Sequence, residues 1–118
     1  MWIRKFAAIL FLSLCLCACG IAIPPEKSTY VGQWKAENMS LLITEHGYVQ
    51  YQRSGKKGNV SIEGYLQNFD GNDFEVGLGP ITTTFVVTQV PHQVNGTWKM
   101  VVDGVELSKI DDNPPLEA

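Results

Sequence analysis

From residue 20 onward the chain has no cysteine at all. That excludes a disulfide framework and any thiolate metal site from this part of the chain. Histidine is almost as scarce, with His46 and His92 the only two, each in an expected turn and neither beside a ligand-spaced partner. No Gly-x-Ser-x-Gly nucleophile elbow occurs. Asp70, Asn72, Asp73 and Glu75 offer oxygen ligands but lack the spacing of a calcium loop. Gly55-Lys56-Lys57-Gly58 lacks the length and the trailing hydroxyl of a phosphate-binding loop. Positive charge is also short, with 9 Lys and Arg against 12 Asp and Glu, net −3. Nucleic acid, which calls for a basic face, is therefore not an expected partner. These absences lead to the expectation of a domain without a catalytic set, a metal or a cofactor.

Long apolar runs are missing too, apart from one. It covers residues 6–16, follows Arg4 and Lys5, and gives way to small residues, which is the layout of an export signal. The run is shorter than the ~20 residues a membrane-crossing helix needs. It ends in Leu16-Cys17-Ala18-Cys19-Gly20, which resembles the lipobox of bacterial lipoproteins: Leu three before the cysteine, a small residue before it, and Gly after it. Cys17 is the less usual member. An ordinary secretory signal cut after Ala18 is the competing reading. The resemblance implies removal of residues 1–18, a diacylglyceryl thioether on Cys19 and a lipid bilayer as partner. Two or three acyl chains together anchor stably where one holds marginally. Gly20, rather than Asp, implies the outer membrane in a Gram-negative cell. Loss of Arg4 and Lys5 leaves 7 basic and 12 acidic residues, net −5.

Residues 19–28, with Pro24-Pro25, read as a lipidated cysteine and a tether. Residues 111–118 read as an acidic tail, and 29–110 as one β domain, enough for a single modest core. Turn residues recur every 8–12 positions or so, as an all-β meander requires. Strands are expected at 30–36, 39–44, 48–53, 60–69, 74–76, 81–90, 98–102 and 105–109. A bulge or bend is expected at Gly64, a mobile loop at 54–59, a break at 77–80 and a strand end at Pro91. The Glu45-His46-Gly47 loop would pair Ile43 with Val49 and Leu41 with Tyr51. Asp103-Gly104 fits a type I′ turn that pairs Val102 with Val105 and Met100 with Leu107 on the inner face. Seven or eight antiparallel strands then form a barrel or a two-layer sandwich.

Gly32-Gln33-Trp34 resembles the Gly-x-Trp opening of lipocalin-like barrels. That resemblance implies a Trp plugging one barrel end under a basic side chain from the last strand, here Lys109. It makes Trp34, Tyr51, Trp98 and Lys109 candidates for binding a small apolar ligand. Arg53, Lys56 and Lys57 form the densest positive spot and are the candidate contact for an acidic partner. Small lipid-anchored β-barrel lysozyme inhibitors are similar in plan, although they carry cysteines that this domain lacks. The leading expectation is an envelope lipoprotein with a non-catalytic binding or accessory domain meeting an envelope protein. A lipocalin-like carrier and a lysozyme or hydrolase inhibitor are the alternatives.

Overall fold

A computed structural model describes residues 21–112. The expected signal at 1–18, the candidate lipidation residue Cys19 and most of the expected acidic tail lie outside the described residues. Among the described residues the domain is all-β, with one short 3-10 helix, Pro25–Tyr30, ahead of nine strands. These are β1 (Gly32–Lys35), β2 (Met39–Ile43), β3 (Tyr48–Gly55), β4 (Gly58–Asp70), β5 (Asp73–Leu78), β6 (Ile81–Phe85), β7 (Val87–Val94), β8 (Thr97–Val102) and β9 (Val105–Asp111). They form a single antiparallel sheet in the order β6-β5-β4-β3-β2-β1-β9-β8-β7, curled into a half-barrel. Two separate layers are not formed, so the sandwich alternative falls. First and last strands pair, with Trp34 opposite Lys109.

Turn chemistry sets the register. Asn95 and Asp103 take φ of 52° and 48°, and Gly96 and Gly104 follow at 83° and 81°. Two positive φ values in succession are the type I′ geometry, whose twist matches that of the flanking strands. Val102 accordingly faces Val105, and Met100 faces Leu107. Thr44 anchors the β2–β3 connection: its carbonyl accepts from Gly47 N at 3.0 Å, and its Oγ1 accepts from Tyr48 N at 3.1 Å. That turn places Ile43 opposite Val49 and Leu41 opposite Tyr51.

Other expectations are corrected. The bulge falls between Leu66 and Asn68, not at Gly64, which pairs regularly with Val49. A side chain at Gly64 would strike the Gly77 carbonyl, so glycine serves close approach of β5 instead. Residues 54–59 are a tight hairpin, Gly55 facing Gly58 across Lys56-Lys57, not a loose loop. Gly77 is a strand residue between Tyr65 and Thr82, and the break is confined to Gly79-Pro80. The run 81–90 splits at Val86, whose N–H donates to Asp103 Oδ1 at 2.9 Å, while Val87 N–H donates to Asp73 Oδ1 at 2.8 Å. The two carboxylates capture the amides that leave the ladder, and the chain passes from one edge of the sheet to the other. Pro91 does not stop β7, because it sits on an edge strand where the register shifts between Gln89 and His92.

The concave face is filled by Trp34, Leu41, Ile43, Val49, Tyr51, Leu66, Phe74, Val76, Phe85, Met100, Val102 and Leu107, all buried. Phe74 stacks on Phe85 at 5.1 Å, and Tyr51 meets Phe85 at 4.9 Å between ring centroids. Burying an aromatic pair adds about 0.5–1.5 kcal/mol beyond its area. Val60 is 49% exposed although it shares the alternation of Leu66. It lies opposite Arg53, in the part of the β3–β4 hairpin that runs past the core.

Candidate functional site

The end of the half-barrel where the chain enters is tied together by bonds between residues distant in sequence. Residues 21–28, expected to form a free tether, are instead bonded to the domain. Ile21 N–H donates to Leu66 O at 3.0 Å and Ile23 N–H to Glu45 O at 3.2 Å. Prolines at 24 and 25 favour the first turn of the following 3-10 helix, since proline lacks the N–H that would be unpaired there. Lys27 Nζ donates to Gly71 O at 2.8 Å and lies over the rings of Tyr30 and Phe69. Tyr30, buried against Phe69 and Phe74, donates its hydroxyl to Asn72 O at 2.9 Å. Burial, with Asp73 adding to it, pushes the Tyr30 phenol above its ordinary pKa of 10.0.

Trp34 is fully buried, and its indole N–H donates to Tyr30 O at 3.0 Å. Lys109 Nζ stands 5.0 Å from the Trp34 ring and 5.4 Å from Trp98. It also donates to Thr29 O at 2.9 Å and pairs with Asp112 Oδ1 at 3.7 Å. Burial lowers the Lys109 ammonium from 10.5, with Asp112 opposing the shift. Lys109 is thus a near-enclosed cation whose charge is answered by a carbonyl, a carboxylate and two indole faces. Beside it a cleft of about 460 Å³ opens between the entering chain and β8–β9, lined by Ile23, Thr29, Glu45, Trp98, Lys109 and Asp112. A smaller one of about 200 Å³ shares Trp98, Lys109 and Asp112 with it and reaches Gly96, Ile110 and Asp111.

Three of the four candidate ligand residues therefore meet at one end. Tyr51 does not join them, being packed against Phe85 in the core. Arg53, Lys56 and Lys57 sit toward and just past the opposite end of β3, which runs about 23 Å from Tyr48 to Gly55. No ion pair is formed by these three cations among the described residues. His46 stands in the β2–β3 turn, 3.9 Å from Glu45, whereas His92 lies within β7 rather than in a turn. Among the described residues no three His, Cys, Asp or Glu side chains gather as a metal site, and no helix is long and apolar enough to cross a membrane. Sequence reasoning missed Lys27 and Thr29, whose partners are 44 and 80 residues away, and Asp112, which lies three residues from Lys109 in a stretch that reads as a tail. The chain matches no known family, no curated protein and no solved structure.

Proposed function

We propose that this is a lipid-anchored cell-envelope protein, acylated on Cys19, whose β domain is a non-catalytic binding or accessory module. The observation that carries the reading is Leu16-Cys17-Ala18-Cys19-Gly20 at the end of the one apolar run. The arrangement of the domain supports a binding role over a carrier role. A carrier needs room inside the curl, and that space is taken by Trp34, Tyr51, Phe74 and Phe85, with Tyr51 and Phe74 both against the Phe85 ring. The test is fractionation of cells making the wild-type chain or Cys19→Ser. Wild type belongs in the detergent-soluble membrane fraction, and Cys19→Ser should leave it. Equal membrane retention of both would defeat the proposal.

A second reading is favoured by one feature, the Lys56-Lys57 turn. A two-residue tip with two unpaired cations is a narrow positive prong, suited to an acidic recess on a partner such as a lysozyme or another hydrolase. Hydrolase inhibition measured with wild type and Lys56→Glu tests it: loss of inhibition on charge reversal supports the prong, and no inhibition by either removes it.

A further inference from the structure

We propose that the chain-entry end of the domain is a membrane-seating surface, resting on zwitterionic headgroups with Trp98 and Ile110 at the interface. The inference rests on the lipid anchor proposed above and adds an orientation and a contact surface to it.

The length of chain before the docked segment limits the geometry. Ile21 and Ile23 are tied by backbone bonds to Leu66 and Glu45, so the domain begins, mechanically, at residue 21. Only Gly20 separates Ile21 from Cys19. Two residues span at most about 7 Å when fully extended. The far end, with Lys56 and Lys57, is about 23 Å further along β3. So short a link cannot let the domain turn that far end to the bilayer while the anchor stays inserted.

The surface presented in this way has the composition a membrane interface favours. Ile21, Val94 and Ile110 are 42%, 40% and 58% exposed at this end, and Trp98 is half-buried between the two clefts. Apolar side chains around an amphipathic indole suit the headgroup boundary, where one edge is wet and the other is not. Glu45, Asp111 and Asp112 ring the same end. Lys109, paired with Asp112, is the one cation among the residues lining the two clefts, and the negative balance that remains would be repelled by anionic lipid, which selects zwitterionic headgroups as the seat. The three unpaired cations then face away from the membrane, where a partner can reach them.

The experiment uses the mature protein purified from membranes and reconstituted into vesicles of phosphatidylethanolamine and phosphatidylcholine, with and without a headgroup-nitroxide lipid. Trp34 is fully buried, so Trp98 is the indole open to a lipid quencher in the processed chain. Tryptophan emission should fall when the nitroxide lipid is present, and Trp98→Phe should abolish that loss. A label on Lys57→Cys should remain accessible to an aqueous quencher and insensitive to the lipid one. Replacing part of the lipid by phosphatidylglycerol should weaken the Trp98 effect. Protein that floats with the vesicles but shows unquenched Trp98, or a quenched label at position 57, overturns the seating alone. Protein that does not float overturns the anchor and the seating together.

Discussion

The two ends of β3 are built on different principles. At the chain-entry end, side chains from residues 27, 30, 34, 98, 109 and 112 hold one another across the whole length of the domain. At the hairpin end, Ser54, Gly55, Gly58 and Asn59 are held mainly by their own ladder, with Asn38 bonding Ser54 from the β1–β2 turn. The first end ties the chain together through long-range contacts, and the second offers charge without structural commitments. Substitutions should therefore act on stability at one end and on association at the other.

The largest expected effect is Trp34→Ala, which empties a fully buried site under Lys109 and removes the indole bond to Tyr30 O. It should cost about 3–5 kcal/mol in denaturant unfolding. Lys109→Ala removes the donor to Thr29 O and uncovers two rings, at a cost of about 1–3 kcal/mol. Lys109→Met, which keeps the stem, should cost less than the alanine, and the reverse ranking would show that the stem adds no packing over Trp34 and Trp98. Lys56→Ala with Lys57→Ala should change unfolding by less than about 0.5 kcal/mol. A loss as large as that of Lys109→Ala would erase the contrast between the two ends.

Alkaline pH sharpens the same contrast. Because the folded pKa of Tyr30 is raised, its contribution to stability is complete below 10.0 and is lost as pH climbs through the folded value. Lys109 works in the opposite sense: its folded pKa lies below 10.5, so stability rises with pH between the folded value and 10.5. Unfolding followed across this range should show Tyr30→Phe losing the high-pH decline and Lys109→Met losing the rise below it. A wild-type profile identical to both variants would contradict the burial of these groups.

What was legible in the sequence was local. Asp103-Gly104 and Glu45-His46-Gly47 fixed two hairpins to the residue, because turn chemistry acts over a few positions and a slipped register would turn Met100 and Leu107 outward. Lys109 over Trp34 came from the resemblance of a tripeptide, not from any local rule. The docked segment was illegible, since Pro24-Pro25 and short polar residues have the composition of a linker whether or not Ile21 and Ile23 find carbonyls. The split at Val86 was hidden for a related reason. Residues 81–90 have uniform β propensity, and the break depends on Asp73 and Asp103, which lie up to 17 residues away.

The proposed lipid anchor turns on the chemistry of one sulfur. Intact mass of the native product should give a chain that starts at Cys19 and carries a diacylglyceryl group, with or without an amide-linked acyl chain. A mass that includes residues 1–18, or a mature chain with a free thiol at Cys19, would contradict it.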